Sequence, residues 1–124
     1  MERITISSSL KHKEIIKGVI ATLEKVGVTA LFPNPDSGGV AKEDVDLELM
    51  KRLEADHFEE IDNGEALYII CPEGKVGTLV AVEIGYAKAK NKPIIFSERP
   101  VDLGLQALAS GYISLEKITR LKTI

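Results

Sequence analysis

The sequence contains almost no cysteine. Cys71 is the only cysteine among 124 residues, so the chain cannot form an internal disulfide, and no cluster of cysteine and histidine has the spacing of a zinc site. No apolar run reaches the roughly 18 residues that a membrane-spanning helix needs, and the first residues enter a strand-like segment rather than a secretory signal. These absences predict a cytoplasmic protein without a structural metal and without a membrane partner.

An excess of charge of one sign is also absent. The 16 basic and 19 acidic residues are interspersed and give a net charge of −3, which argues against nucleic acid as a partner. The dinucleotide fingerprint G-x-G-x-x-G does not occur, and no cofactor is expected. The hydrophobic fraction of 44% and the charged fraction of 28% are ordinary for a globular protein. The length predicts a single domain over residues 1–124.

What the sequence does contain is a regular alternation of strand-like and helical segments. The strand-like segments cover residues 3–7, 28–32, 66–72 and 93–97. Apolar residues at spacings of three or four mark helices over 11–26, over 42–61 and from 78 onward, and residues 104–124 predict a short helix, an edge strand and a last helix. This order predicts an α/β three-layer sandwich, flavodoxin-like or Rossmann-like, with a parallel sheet of four or five strands.

In such folds ligands bind beyond the carboxyl ends of the strands, where the strand order switches. Three segments are expected to converge there and to bind the substrate: Ser7, Ser8 and Ser9 after the first strand, residues 33–39 with Pro33 after the second, and residues 71–78 with Gly74, Gly77 and Thr78 after the third. The serines precede a basic turn at residues 11–13. That arrangement is typical of an anion site at a helix N-terminus, and equally of a capping serine beside a solvated turn.

One acidic residue occurs inside an apolar helix. Glu83 lies in "TLVAVEIGYAKA" and is expected on the stripe that faces the sheet, together with Leu79, Val80 and Ala87. Burying a carboxylate without partners costs several kcal/mol or raises its pKa until the group is neutral. Two interpretations stay open at this point: either a nearby donor pairs with Glu83, or the chemistry of the protein requires a carboxylate there.

Residues 57–96, "HFEEIDNGEALYIICPEGKVGTLVAVEIGYAKAKNKPIIF", resemble the core of the nucleoside 2-deoxyribosyltransferases and of the related 2′-deoxynucleoside 5′-phosphate N-hydrolases. The resemblance covers about a third of the chain. Its specific part is the run Glu83-Ile84-Gly85-Tyr86-Ala87 and the Lys-Pro step that opens the next strand. The Ile-Asp pair at 61–62 and the loop "PEGKVGT" add weaker support.

The resemblance implies a function and a role for Glu83. In that superfamily the corresponding glutamate attacks the anomeric carbon of the 2-deoxyribose, expels the base and holds the sugar covalently, while a second acid protonates the base. The implied activity is cleavage or transfer at the N-glycosidic bond of a 2′-deoxynucleoside or its 5′-monophosphate. Relatives complete their pockets across a subunit interface, so a homo-oligomer is implied, and the three serines are the expected 5′-phosphate site.

The sequence departs from the family pattern at the second acid. The transferases carry aspartates in the loop after the third strand, whereas this chain has Glu73 there. The resemblance therefore assigns the proton transfer to Glu73, and the alternative is an ordinary exposed loop glutamate. Gly85 is expected at a close packing contact and Tyr86 in the core.

Three further polar residues receive structural interpretations. His57 is expected at the edge of the core, and Asp62 and Glu65 are expected to cap elements at the opposite edge of the sheet. Two alternatives to catalysis stay open: a nucleotide-binding module that has lost the chemistry, and a structural or partner-binding α/β protein in which Glu83 is merely paired. The identity of the base, the presence of a 5′-phosphate and the choice between hydrolysis and transfer also stay open.

Overall fold

The computed structural model describes residues 1–32 and 46–124. The strands are β1 Arg3–Ser7, β2 Thr29–Leu31, β3 Ala66–Ile69, β4 Ile94–Phe96 and β5 Gly111–Tyr112. The α-helices are α1 Lys13–Lys25, α2 Leu47–Asn63, α3 Thr78–Ala89 and α4 Leu103–Gln106, and 3₁₀ segments cover Leu10–His12, Pro72–Gly74 and Leu115–Thr123. The predicted order of elements is therefore present, although a 3₁₀ segment replaces the last predicted helix.

The five strands form one sheet in the order β2-β1-β3-β4-β5, and every pair is parallel. This is the flavodoxin-like order, in which the chain reverses its direction of winding between β1 and β3. The predicted α/β class and the parallel sheet are thus confirmed. The carboxyl ends of β1 and β3, which pair through Ser7 and Ile69, lie at the switch in strand order.

The alternation of side chains along β1 separates the two faces of the sheet. Ile4 and Ile6 join a core with α1 and the C-terminal 3₁₀ segment, whereas Thr5 and Ser7 point toward α2 and α3. A second core lies on that face, and its buried members are Ile61, Leu67, Ile69, Cys71, Val80, Ile84, Ala87, Ile94 and Phe96. Two helical layers with a sheet between them confirm the predicted sandwich.

The interior face of α3 differs from the prediction. Val80, Glu83, Ile84 and Ala87 are buried, but Leu79, expected on the same stripe, is 44% exposed. The helix has apolar residues on both sides, so composition alone did not reveal which side packs on the sheet. Gly85 is also exposed, and a methyl group in place of its hydrogen would meet no atom within 4 Å among the described residues, so its expected packing role is wrong in this chain.

Tyr86 is half-buried rather than part of the core, and its hydroxyl donates to Asp62 at 2.8 Å. Its ring packs against Phe58 of α2. Across residues 1–32 and 46–124, none of the helices combines the length and the apolar character needed to cross a membrane.

Candidate active site

The carboxyl end of β1 brings Ser7 against Glu83. The Ser7 hydroxyl donates to Oε1 of Glu83 at 2.6 Å, although the two residues are 76 positions apart in the chain. Ser7 faces α3 because the alternation that buries Ile4 and Ile6 on one side sends Thr5 and Ser7 to the other. The expectation that the first strand and the Glu83 helix share one site agrees with this contact.

The second oxygen of Glu83 is held by His57. Nδ1 of the imidazole lies 2.7 Å from Oε2, and Nε2 lies 2.8 Å from the carbonyl oxygen of Ile6. Glu83 is 3% exposed and His57 4%. His57 is therefore the direct partner of the carboxylate and not an inert residue at the edge of the core, as its sequence position on an apolar face had suggested.

Burial alone would lower the pKa of His57, because it removes water from the charged imidazolium. The hydrogen bond and the charge of Glu83 raise it, as do the Ile6 carbonyl and the charge of Glu60, and the net shift is upward. The pair is consequently held together by charge as well as by geometry.

A second carboxyl group contacts Glu83 from α2. Burial, followed by the charge and a hydrogen bond of Glu83, raises the pKa of Glu54 from 4.5 to about 7, against an opposing contribution from His57. Oε2 of Glu54 is buried and accepts from no donor among the residues described. Two carboxyl groups can hydrogen-bond to each other only through a shared proton, so Glu54 is the natural carrier of that proton.

Glu54 lies nearer than His57 to the carboxyl end of the sheet. Helix α2 leads from the carboxyl end of the sheet back to the start of β3, and Glu54 precedes His57 by one turn. Glu54, His57 and Glu60 recur at intervals of three residues, which places them near one face of the helix. Sequence analysis missed Glu54 and Glu60, although this spacing next to the apolar Ile61 was a usable signal.

Glu60 is the third carboxyl group of the cluster. Burial is the main reason that its pKa rises to about 7, while the charge of His57 works against the rise. Its Oε2 is likewise buried without a hydrogen-bond partner in the described part of the chain. Its backbone carbonyl accepts from the Thr5 hydroxyl at 2.7 Å, which ties α2 to β1 beneath the site.

A cavity of about 180 Å³ lies at the carboxyl ends of β1 and β3, and Glu83 and His57 are not among the residues that line it. Its lining combines the turn after β1, the end of β3 and the loop before α3: Ser9, Lys11, His12, Ile70, Lys75, Val76, Gly77 and Val80. Lys11 and Lys75 give it a positive side, and Val80 lies one turn of α3 before Glu83. Such a lining suits a ligand with an anionic group and an uncharged part.

Of the predicted substrate-binding residues, Ser9 and Gly77 line this cavity. Ser7 and Ser8 are buried, and the Ser8 hydroxyl donates to the Ser9 carbonyl at 3.2 Å. Thr78 is exposed and begins α3. Pro33 and the rest of the 33–39 loop lie outside the described residues.

Gly74 has a structural reason of its own. Its φ of 73° is in the left-handed region that favours glycine, and a Cβ at this position would lie 2.5 Å from the carbonyl oxygen of Arg99. The backbone conformation of the loop before α3 therefore requires a glycine at this position.

Glu73 lies on the outer surface of the same loop. Its carboxylate is 2.9 Å from Nζ of Lys75, and the side chain is 74% exposed. The hydrogen bond and charge of Lys75 lower its pKa, so Glu73 carries no proton near neutral pH. The described position of Glu73 therefore differs from that of a buried proton donor.

Asp62 and Glu65 lie at the opposite edge of the sheet. Glu65 accepts from the backbone nitrogens of Glu2 and Arg3, the latter at 2.9 Å, and so ties the starts of β1 and β3 together. Asp62 accepts from the hydroxyl of Tyr86. The contacts of Glu65 agree with the capping role expected from its position, whereas Asp62 contacts side chains of α3 and caps no element in the described part of the chain.

The fold is shared with solved structures of low sequence identity. A 2-deoxyribosyltransferase from Bacillus psychrosaccharolyticus is 17% identical, with a TM-score of 0.67 over 98% of this chain and 91% of that one. A CMP N-glycosidase from Clostridium botulinum is 18% identical, with a TM-score of 0.61 over 98% of both chains. A conserved protein from Enterococcus faecalis V583 is 17% identical, with a TM-score of 0.62 over 98% of this chain and 99% of that one.

No protein-family model matches the sequence, and no curated protein matches it. The likeness is therefore one of fold over nearly the whole length. At the level of the fold, it confirms the resemblance that residues 57–96 had indicated.

Proposed function

We propose that this protein cleaves or transfers the sugar at the N-glycosidic bond of a 2′-deoxynucleoside or its 5′-monophosphate, with Glu83 as the nucleophile. One carboxylate oxygen attacks the anomeric carbon, the electron pair of the C–N bond leaves with the base, and the sugar is held as a glycosyl ester of Glu83. Water or a second base then takes the sugar and regenerates the carboxylate.

The observation that carries this proposal is the environment of Glu83. A carboxylate that is 3% exposed is retained at the carboxyl edge of the sheet, at the switch in strand order, and is held by Ser7 and His57. Ligands of doubly wound folds bind at this edge. Both oxygens are oriented and weakly hydrated, which is what a carboxylate nucleophile needs.

The proton for the departing base has two candidate sources. The resemblance assigns it to Glu73, which is exposed and paired with Lys75. The contacts favour Glu54, because a carboxyl group with a pKa of about 7 beside Glu83 holds a proton near neutral pH and can give it up. We therefore assign the proton transfer to Glu54 and treat Glu73 as the competing assignment.

A 5′-monophosphate is the better substrate in this proposal. The cavity at the carboxyl ends of β1 and β3 is lined by Ser9, Lys11, His12 and Lys75. Cationic side chains and hydroxyl groups of this kind bind phosphate oxygens. One of the structural neighbours is a CMP N-glycosidase, which supports a nucleotide rather than a nucleoside.

A homo-oligomer is part of the proposal. Helix α3 has apolar residues on the side away from the sheet, where Leu79 and Val82 are 44% and 51% exposed. The exposed Gly85 continues this side without a side chain, which leaves room for a close approach by another helix. We propose that a second copy of the chain covers this face next to the site.

The test is direct. The protein is incubated with a panel of deoxynucleosides, their 5′-monophosphates and CMP, and free base is quantified by chromatography, with and without a second base as acceptor. Protein quenched during turnover is digested, and its peptides are analysed by mass spectrometry. The mass of the peptide that contains Glu83 should increase by the mass of the sugar or sugar phosphate. Tight binding of a nucleotide without release of base would instead identify a non-catalytic binding module.

A further inference from the structure

The imidazole of His57 is placed between two hydrogen-bond acceptors. Nε2 lies 2.8 Å from the carbonyl oxygen of Ile6, and a carbonyl oxygen can only accept, so Nε2 carries a hydrogen. Nδ1 lies 2.7 Å from Oε2 of Glu83. That second hydrogen bond requires one proton, which belongs either to Nδ1 or to the carboxyl group.

The charges around the ring decide between these positions. His57 faces the carboxyl groups of Glu83 from α3 and of Glu54 and Glu60 from its own helix. Among residues 1–32 and 46–124, the ring also contacts the Ile6 carbonyl from β1 and the edge-on ring of Phe32 after β2, neither of which carries a charge. The carboxylate in contact with Nδ1 favours the cationic form of the ring, and Glu83 already accepts a second hydrogen bond from Ser7 as an anion does.

We propose that His57 carries a hydrogen on both ring nitrogens in the substrate-free protein, and that this imidazolium keeps Glu83 ionised and oriented for attack. His57 is thus a positioning residue, since it acts through Glu83 and does not reach the sugar. The protonation state can be measured whatever the protein does, whereas the effect on attack rests on the proposed function.

The role follows from the burial of the nucleophile. A carboxylate removed from water takes up a proton unless a cation or several donors stabilise its charge, and a protonated carboxyl group does not attack. Ser7 and the protonated Glu54 are neutral donors, which leaves His57 as the cation in contact with Glu83 among the described residues. The Ile6 carbonyl fixes the ring, so that the Nδ1–H bond points at one oxygen of the carboxylate.

The first experiment is nitrogen NMR of the ¹⁵N-histidine-labelled wild-type protein. We expect both ring nitrogens of His57 to resonate as protonated nitrogens at pH 7, with the signals of His12 identified by a His12→Gln variant. An unprotonated Nδ1 at pH 7 overturns the proposal, whatever the activity. Because this measurement uses the unchanged protein, it does not depend on whether variants of His57 fold.

The second experiment compares the pH profiles of variants that release base. His57→Asn keeps a neutral N–H near Glu83 but removes the charge, and Glu59→Gln is the control because it removes an exposed charge from the same helix. We expect kcat at pH 7 to fall on the order of 10²-fold in His57→Asn, with KM little changed. The acid limb of the profile should also move upward by at least about one pH unit, because the positive charge in contact with the nucleophile is gone.

The outcomes separate the two hypotheses. A variant with a lower rate but an unmoved acid limb shows a merely structural His57 and overturns the positioning role. A wild-type protein that releases no base from any compound in the panel overturns the proposed function and the role in attack together. In that case the NMR result still decides whether the imidazolium exists.

Discussion

His57 and Glu83 form a buried pair, with Nδ1 and Oε2 2.7 Å apart and side chains that are 5% and 4% exposed. The pair connects α2 to α3, and its second contact to the Ile6 carbonyl connects both helices to β1. A buried ion pair is weak evidence for stability, because desolvation offsets most of the attraction. Its position at the carboxyl edge of the sheet, where ligands of doubly wound folds bind, supports the proposed role of the pair instead.

The Glu83→Gln variant should separate stability from activity. The amide can accept from Ser7 and donate to a neutral His57 that keeps its hydrogen on Nε2, so the free energy of unfolding should change by no more than about 1 kcal/mol. Release of base should fall by roughly 10³-fold or more, because the nucleophilic anion is gone. Urea unfolding and the base-release assay measure the two effects.

The matched control for this variant is Glu83→Leu. Leucine has a similar size but leaves His57 without its partner, which should cost ~3–5 kcal/mol. If the Gln and Leu variants were equally destabilised, the amide would not be replacing the hydrogen bonds that the carboxylate makes with Ser7 and His57.

The stability of the protein should decrease as the pH rises from 5 to 8. The pKa values of Glu54 and Glu60 rise from 4.5 to about 7 on folding, so between these values the folded chain binds protons that the unfolded chain has released. The raised pKa of His57 acts in the same direction. Its contribution to stability is fully present below the pKa of the unfolded chain and is lost as the pH rises through the pKa of the folded chain.

The measurement is the melting temperature at fixed ionic strength across this range. A Glu54→Gln, Glu60→Gln double variant should show a flatter dependence on pH. Glu65 and Glu73 have lowered pKa values, so their contributions to stability persist between pH 5 and 8 and are lost only at lower pH. A wild-type protein that gained stability between pH 5 and 8 would contradict the raised values.

The proton donor can be identified by comparing two substitutions. Glu54→Gln should lower kcat on the order of 10²-fold and remove the alkaline limb of the pH profile near pH 7, since the protonated carboxyl group is lost. Glu73→Gln should change kcat by less than about threefold, because Glu73 is exposed and ionised. The reverse ranking would return the role to Glu73.

Recognition of a 5′-phosphate should depend on the lysines of the cavity. Lys11→Ala and Lys75→Ala should each raise KM for the monophosphate by about 5- to 20-fold and leave KM for the nucleoside unchanged, and the difference should shrink at high salt. Lys51→Ala is the control, since this exposed lysine of α2 pairs with Glu48. Equal affinity of the wild type for a nucleoside and its monophosphate would rule out the phosphate site.

The exposed face of α3 predicts the state of association. Val82→Glu should shift the protein toward a smaller species in light scattering coupled to size-exclusion chromatography, because a charge would be buried at the interface. Val101→Glu is the matched control, as Val101 is a 75% exposed apolar residue outside α3. A wild-type protein that is monomeric at high concentration would remove the interface.

Local patterns in the sequence determined the fold. The alternation of Ile4 and Ile6 with Thr5 and Ser7 specified two faces of β1, and the continuous apolar run at 66–71 specified a central strand covered on both sides. These patterns can be recognised in the sequence because buried residues recur every two residues in strands and every three to four residues in helices. They also located the carboxyl edge and singled out Glu83 as an acid in an apolar helix.

The tertiary structure alone decided what surrounds Glu83. His57 is 26 positions away and Ser7 is 76, and no local period relates residues at such distances. The pKa of Glu54 depends on how deeply α2 packs and on the neighbouring carboxylate, neither of which is encoded in its own segment. Periodicity says which side of an element is buried, whereas the partner of a buried charge is set only when α2 and α3 pack against β1.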